Sequence, residues 1–389
     1  MSKIAPTLLA KATGLIPTLT AREAAASAAR SVPDETIADF HRLGILRVMQ
    51  PRRFGGHQAS LDLFSRIAET LAEGCAASAW VYAVLAEHQW IIACMSDQAQ
   101  VDVWGDNPHA VASSSLAPRE TAQRTTGGWR LSGRFPFSSG CRHAQWAIIG
   151  AKAPDAAGNT PIRYMLVPMQ NIEIIDDWHV LGLRGTGSCS LVLNDVFIPE
   201  HRTILYKDLM DGTTPGSAIL PDYPLLKAPR GYLVPFSLPV VMFTLARRAL
   251  DLVSVTLRTR ISRGTREVAL SEVIQLRLGE AAALIETAIL IMHTRRTQST
   301  DAVDSATQIT PEHIARNRRD IAFAAGQLRR GVETLMEISG ARSVYDTDPL
   351  QALVRDIMTI GTHVIVSRQS ALVPYGQLLL GLPPTQVDG

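Results

Sequence analysis

The chain has 389 residues, of which 46% are hydrophobic and 19% are charged, a composition typical of a folded protein with sizeable cores and not of a disordered chain. Lysine and arginine (38 residues) nearly balance aspartate and glutamate (36 residues), for a net charge of +2. We therefore expect no broad basic surface for nucleic acid or for an anionic membrane.

The four cysteines form no CxxC pair and have no histidine at zinc spacing, which argues against a disulfide framework or a metal site and fits a reducing cytoplasm. Lys11 interrupts a modest apolar run near the N-terminus, and further charges begin at Arg22, so we expect no signal peptide. No segment has the roughly 18 unbroken apolar residues of a membrane span. The sequence predicts a cytoplasmic protein.

Residues 1–108 are predicted to form a helical domain. From Thr20 an alanine-rich stretch precedes DETIADFHRLGIL, whose apolar residues recur near the helical period. Residues 61–93 are predicted to form two helices, and the second, ASAWVYAVLAEHQWIIA, is apolar on nearly every side and should be buried. His88 within it is either a core histidine bonded to a carbonyl group or a group that faces a cavity.

Residues 109–205 are predicted to form a middle β domain. Short alternating runs such as WRLSGRF, WAIIGAKA and CSLVLNDVFIP are separated by Gly, Pro and Asn, a pattern that indicates six or seven short strands in a small antiparallel barrel or sandwich. The Gly-rich segments 133–146 (GRFPFSSGCRHAQW) and 178–188 (WHVLGLRGTGS) place hydroxyl residues where backbone can approach a ligand.

Residues 206–389 are predicted to hold an irregular connection and a C-terminal bundle. The connection, from Leu205 to Phe236, is rich in Pro and Gly, as functional loops often are. Helical spacing then extends over residues 238–263, 270–298, 312–339 and 349–380, which predicts a four-helix bundle. The predicted fold class is α+β, mostly α.

This order of domains, with the two Gly-rich segments, resembles the acyl-CoA dehydrogenase fold. Within it, FSSG followed by HAQW, and LGLRGTGS, are similar to the oxygenase components of two-component, reduced-flavin-dependent monooxygenases such as 4-hydroxyphenylacetate 3-hydroxylase and the steroid phenol hydroxylases. PRRFGGHQAS, RDIMTIGTHVIVSRQ and PYGQLLLGLPP also fit that group. The resemblance covers nearly the whole chain, from about residue 51 to residue 384.

The resemblance implies an enzyme that binds reduced FMN or FADH2 as a diffusible cofactor, adds O2 to form a flavin C4a-hydroperoxide, and hydroxylates a phenolic or polycyclic aromatic substrate. No GxGxxG motif follows a strand and opens a helix, so reduced flavin is expected from a separate NAD(P)H-dependent reductase. A homotetramer built on the C-terminal bundles is implied as well.

The resemblance also implies roles for individual residues. Ser138 would bond the flavin N5, His363 would lie beside the peroxide, and His88 would bind and polarise the substrate phenol with Ser114 as a second contact. The other implied cofactor-binding residues lie on the two Gly-rich segments and at the end of the first bundle helix: Phe137, Ser139, Arg184, Thr186, Ser188, Arg260 and Arg263.

Each role has a structural alternative. Ser138 and Ser139 are also interpretable as strand-end hydroxyls that satisfy backbone groups, His363 as a helix-surface or interface histidine, and the arginines as a solvated basic helix end. His143, Trp146 and Trp178 are equally interpretable as packing residues.

The sequence departs from the family pattern in two places, and three rival functions remain open. No glutamate follows Glu337, although the dehydrogenases commonly carry their catalytic carboxylate there, and Phe135 and Pro136 stand where an aromatic residue, often tryptophan, is usual. The rivals are an FAD-dependent acyl-CoA dehydrogenase, an enzyme of the same fold that oxidises nitrogen or sulfur, and a non-catalytic helical scaffold. The sequence decides neither the substrate nor FMN against FAD.

Overall fold

The computed structural model describes residues 4–155, 157–262 and 266–385. The chain divides into two compact units. The first comprises Met1–His179, Arg184–Leu233 and Thr300–Ile309, and the second comprises Val180–Leu183, Val234–Ser299 and Thr310–Gly389. The predicted domain boundaries at residues 108 and 205 stay predictions.

The first unit begins with helices α1 (Ile4–Ala29), α2 (Asp34–Leu43), α3 (Leu61–Ala72), α4 (Ala76–Cys94) and α5 (Asp97–Trp104). Helix α1 starts well before the predicted position near Thr20 and continues through Pro17. Ser60 and Ser96 cap α3 and α5, each accepting a backbone N–H with its side chain, as N-cap serines do. Every residue of α4 is buried, as its apolar sequence predicts.

Eight strands follow in the described part of the first unit: β1 (Ala112–Ser115), β2 (Gln123–Thr125), β3 (Gly128–Ser138), β4 (Trp146–Lys152), β5 (Ile162–Pro168), β6 (Glu173–Ile175), β7 (Cys189–Pro199) and β8 (Thr203–Leu205). They form two sheets with the strand orders β1-β4-β5-β8 and β2-β3-β7-β6. Phe135 and Leu191 of one sheet share a buried cluster with Ala147 and Met165 of the other. The predicted sandwich is therefore present.

One strand pair departs from the prediction of an antiparallel domain. Strand β1 pairs with β4 in parallel, with Ser114 opposite Ile148, whereas the other pairings within the two sheets are antiparallel. A parallel pair needs a long crossover, and here β2 and β3 of the other sheet lie between the two strands in the chain.

A bulge near the end of β3 determines which side chains of the FSSG segment point outward and which point into the core. Phe135 is opposite Leu191 and Ser138 is opposite Cys189, so β3 uses one residue more than β7 over this interval. The backbone of Phe137 is left-handed (φ 66°), which is a rare conformation for an aromatic residue. The bulge turns Phe137 outward and returns Ser138 to the core, a use of bulges that is common beside functional sites.

Three short helices, α6 (Tyr206–Asp211), α7 (Pro215–Ile219) and α8 (Arg230–Leu233), lie in the predicted connection. The second unit holds most of the remaining elements: α9 (Pro239–Thr259), β9 (Ile261–Ser262), β10 (Arg266–Glu267), α10 (Glu272–Asp304), α11 (Pro311–Ser339), α12 (Pro349–Ile360) and α13 (Arg368–Leu379). Helix α11 packs against α9, α12 and α13. Gly331 permits close packing against Ile285, because an added Cβ would lie 2.8 Å from that side chain.

The prediction of one helix over residues 349–380 is wrong, because the structure has two helices there. Helix α12 ends at Ile360, and Gly361 and Thr362 lead into a short 3₁₀ turn, Val364–Val366, before α13 begins. Glycine and a run of β-branched residues both have low helix propensity. Among the described residues, no helix is both long and apolar enough to span a membrane.

Candidate active site

His88 lies on α4 and contacts strand β1. Its Nδ1 is 2.7 Å from the carbonyl oxygen of Ala112. Since a carbonyl oxygen only accepts, Nδ1 carries the hydrogen and Nε2 keeps its lone pair. The Ser114 Oγ lies 3.0 Å from that Nε2 and donates to it. The structure thus brings His88 and Ser114 into contact and fixes the tautomer of the imidazole.

Burial, with a smaller contribution from the positive charge of Arg230, lowers the pKa of His88 to about 4, against the opposing effect of the hydrogen bond to Ala112. His88 is therefore neutral near pH 7 and acts there as a hydrogen-bond acceptor through Nε2. Arg230, on α8, is itself buried and lies 3.9 Å from Glu87, the neighbour of His88 on α4.

The three serines of β1 face different surroundings. Ser113 and Ser115 are buried, whereas Ser114 is partly exposed. The Ser115 hydroxyl donates to the carbonyl of Pro136 at 2.6 Å, which ties β1 to the FSSG segment. Because Ser114 combines contact with His88 and partial exposure, it is the serine of this strand that a small molecule would reach beside the imidazole.

A second group of hydroxyls joins the two Gly-rich segments. The Ser139 Oγ is 2.7 Å from the Ser188 Oγ, and the Ser188 Oγ is 2.7 Å from the Thr186 Oγ1. The backbone N–H of Gly140 donates to the Thr186 carbonyl at 3.0 Å. Trp80, on α4, donates its indole N–H to the Ser139 Oγ at 3.1 Å. The predicted residues Ser139, Thr186 and Ser188 are therefore brought together by the fold.

Ser138 differs from its neighbour Ser139. Its side chain is fully buried, and its hydroxyl has no hydrogen-bond partner among the described residues. A buried polar group without a partner costs about 1–3 kcal/mol, so such an atom is normally satisfied by a water molecule or by a ligand.

Two other predicted cofactor-binding residues are exposed. Phe137 is 66% exposed, and its ring meets the Trp178 ring edge to face, with a centroid distance of 6.2 Å. Arg184 is also exposed, at the start of the short turn Arg184–Thr186. Both residues remain predictions as cofactor contacts.

The remaining predicted residues belong to the second unit or lie outside the described residues. His363 is half-buried at the start of the turn after α12, where its Nδ1 accepts the N–H of Ile365 at 3.3 Å, so its predicted place in a long helix is wrong. Arg260 donates to the carbonyls of Ile338 and Ser339 at 2.9 and 2.6 Å, at the C-terminal end of α11. Arg263 lies outside the described residues.

Two residues of the site, Trp80 and Arg230, carry no functional signal in the sequence. A buried indole N–H must find an acceptor, which predicts a partner for Trp80 but not its identity. Arg230 lies in an irregular connection without periodicity.

No group of three or more His, Cys, Asp or Glu side chains in the described ranges is arranged to hold a metal ion.

Comparison with known proteins agrees with this architecture. The family model "Acyl-CoA dehydrogenase, C-terminal domain" matches residues 238–368. The FADH(2)-dependent resorcinol hydroxylase oxygenase component of Rhizobium sp. is 33% identical over 366 residues, which cover 92% of this chain and 90% of the relative.

Solved structures give the same result. The HsaA monooxygenase from M. tuberculosis superposes with a TM-score of 0.92 at 31% identity, covering 98% of this chain and 99% of the other. XiaF from Streptomyces sp., in complex with FADH2 and glycerol, gives 0.90 at 26% identity, covering 100% and 98%. The chain belongs to the flavin-dependent monooxygenases that share the acyl-CoA dehydrogenase fold, which confirms the resemblance stated from its motifs.

The buried, neutral state of His88 predicts a specific dependence of stability on pH. Because the folded-state pKa is about 4 and the unfolded value is about 6.5, the unfolded chain binds the proton more readily. Stability is therefore lost as the pH falls through this window. For His88→Asn, which cannot titrate, the loss in unfolding free energy between about pH 7.5 and pH 5 should be about 2 kcal/mol smaller than for the wild type.

Urea unfolding at the two pH values measures this difference. Asparagine retains an amide N–H that can donate to Ala112, so the substitution removes the titration with the least change to the fold. Parallel pH dependences in the two proteins would show that His88 is not held neutral by the fold.

Proposed function

We propose that this protein is the oxygenase component of a two-component monooxygenase that hydroxylates a phenolic or polycyclic aromatic substrate, with O2 and a reduced flavin delivered by a separate reductase. The observation that carries the proposal is the His88 and Ser114 pair, an imidazole locked with Nε2 as acceptor beside a partly exposed hydroxyl. The relatives named as FADH2-dependent or FADH2-bound proteins support the cofactor.

The Gly-rich segments fit a flavin. Ser138 offers a buried hydroxyl without a partner in the described residues, at a bulge where the neighbouring Phe137 has left-handed backbone and is exposed. The bound reduced flavin would supply the electrons that activate O2. Ser138 would bond the N5 edge, as the resemblance implies, while His363, Arg184, Arg260 and Arg263 remain proposed contacts or catalytic groups without further support.

His88 would act on the substrate. A phenol hydroxyl that enters beside Ser114 donates to the Nε2 of His88, and the neutral imidazole draws the phenolic proton toward itself. Greater electron density then develops on the phenolic oxygen and at the ring carbon ortho to it, where an electrophilic oxygen is accepted. Ser114, displaced from Nε2, can donate its own hydrogen to the phenolic oxygen and hold the ring in place.

Self-association is the second part of the proposal. Large apolar side chains of α10 are exposed in the isolated chain, namely Val273, Leu276 and Leu290. Exposed apolar groups repeated along one helix are typical of contact surfaces between subunits. We infer a homotetramer formed through the second unit.

Four free cysteines are consistent with the proposed cytoplasmic location.

Substituting His88 tests the proposed reaction. With reduced FMN or FADH2, O2 and resorcinol, the wild type should yield a hydroxylated product. His88→Asn should lower kcat about 100-fold, because the acceptor for the phenolic proton is lost, with unchanged affinity for reduced flavin. His88→Gln, whose amide oxygen can reach the position of Nε2, should retain more activity than His88→Asn.

An aryl sulfide and an aromatic amine are the discriminating substrates. If both are oxidised equally well by the wild type and by His88→Asn, while phenols are not substrates, the enzyme is a nitrogen or sulfur oxygenase and the phenol proposal fails. Product is quantified by chromatography and flavin affinity by anaerobic titration.

Substituting Ser138 separates stability from function. Ser138→Ala removes a buried hydroxyl that has no partner in the described part of the chain, so the flavin-free protein should keep its stability or gain about 1 kcal/mol. At the same time the hydrogen peroxide released per product formed should rise about tenfold, because the bond to the flavin is lost. Ser113→Ala is the matched control, since that hydroxyl is also buried and without a partner in the described residues. An equal peroxide yield in the two variants would remove Ser138 from the flavin site.

The tetramer is tested by sedimentation. The wild type should sediment at about four times the chain mass of 42.3 kDa, and Leu276→Glu should shift it to smaller species, since a carboxylate is costly to bury between subunits. The control is Val101→Glu at an exposed apolar residue of the first unit, which should leave the mass unchanged. A monomeric wild type would contradict the proposal.

A further inference from the structure

A single buried indole N–H begins the chain of hydroxyls that joins the two Gly-rich segments. Trp80 donates to Ser139 at 3.1 Å, Ser139 contacts Ser188 at 2.7 Å, and Ser188 contacts the hydroxyl of Thr186 at 2.7 Å. All four residues are buried. Trp80 belongs to α4, the helix that also carries His88.

The chemistry of these groups fixes the direction of the first hydrogen bond. An indole N–H can only donate, so the Ser139 oxygen accepts from Trp80. In the contacts between Ser139 and Ser188 and between Ser188 and Thr186, either hydroxyl can be the donor. Trp80 therefore supplies the donor whose direction is fixed, and the hydroxyls of Ser139, Ser188 and Thr186 continue the chain from it.

Ser138 and Ser139 are adjacent and chemically identical, yet they differ in their hydrogen bonds. The hydroxyl of Ser138 has no partner among the described residues, whereas that of Ser139 is held on both sides. We propose that Trp80 is a positioning residue for flavin binding: its N–H commits Ser139 to the hydroxyl chain, joins the two Gly-rich segments, and leaves Ser138 as the serine available to the cofactor. This inference rests on the proposed function.

Loss of the N–H has a defined consequence. Without a donor from Trp80, the oxygen of Ser139 loses its fixed donor, and only the contact with Ser188 still holds its side chain. The two segments are then held less firmly, and Ser139 competes with Ser138. A lost buried hydrogen bond corresponds to a change of roughly tenfold in an equilibrium constant.

Trp80→Phe retains the ring and removes the N–H. We expect its dissociation constant for reduced FMN, measured by anaerobic titration, to rise about tenfold, and the hydrogen peroxide released per product to rise several-fold. Trp90→Phe is the matched control. Trp90 lies on the same helix, is equally buried, and donates its indole N–H to the carbonyl of Leu225 at 3.0 Å, outside the hydroxyl chain. It should lose comparable stability to urea but retain flavin affinity and coupling.

The outcomes distinguish failure of the role of Trp80 from failure of the proposed function. If the wild type binds reduced FMN and both tryptophan variants behave alike, whether altered or not, the positioning role of Trp80 is overturned while the proposed function stands. If the wild type binds neither reduced FMN nor FADH2, the proposed function fails and this inference fails with it.

A double-mutant cycle keeps the test valid if Trp80→Phe is poorly folded. Ser139→Ala removes the acceptor with a smaller change of volume. The variant that combines Trp80→Phe with Ser139→Ala should bind reduced FMN no more weakly than the worse single variant, since both break one contact. Fully additive losses in flavin affinity would show that Trp80 does not act through Ser139.

Discussion

The first unit depends on the burial of α4. In a helix that is buried at every residue, an unsatisfied polar side chain is costly, because water is not available to it. Trp80, His88 and Trp90 each donate a ring N–H, and their acceptors lie on the FSSG segment, on strand β1 and at Leu225 of the connection. Three obligatory hydrogen bonds therefore fix three separate stretches of chain around one helix.

The same contacts determine the tautomer and the protonation state of His88. The bond from His88 to Ala112 is structural, yet it determines which nitrogen of the imidazole remains an acceptor, and burial with the nearby charge of Arg230 keeps the ring neutral. Ser138 is a counterexample, a buried hydroxyl that no described residue satisfies. Unsatisfied polar groups and strained backbone, such as the left-handed Phe137, both reduce stability, and they often mark functional sites.

The base at the candidate site differs from the base that an acyl-CoA dehydrogenase needs. An enzyme that removes a proton next to a thioester carbonyl needs a carboxylate or another strong base. In this chain no glutamate follows Glu337, and the buried base beside β1 is a neutral imidazole with a pKa near 4. Such a group is a weak base but a good acceptor for the acidic hydrogen of a phenol, which agrees with membership of the monooxygenase family.

Much of the fold was determined by the sequence alone. A stretch that is apolar on nearly every side predicts α4, and apolar spacing predicts α9 and α11. Alternation predicts the main strands of the sandwich, and the resemblance of the Gly-rich segments indicates the family. These signals are local, since periodicity and glycine act within a few residues. Apolar spacing predicts one continuous helix over residues 349–380, whereas the structure has two helices separated after Ile360.

The tertiary structure decided the rest. The parallel pairing of β1 with β4, the contact of Ser114 with His88, and the choice of Ser139 over Ser138 as partner of Trp80 all join residues that are distant in the chain. Adjacent serines are indistinguishable by composition or spacing, and they acquire different roles only when the bulge in β3 and the buried helix place one donor beside one of them. Hydrogen bonds depend on direction and distance, which a local sequence pattern does not encode.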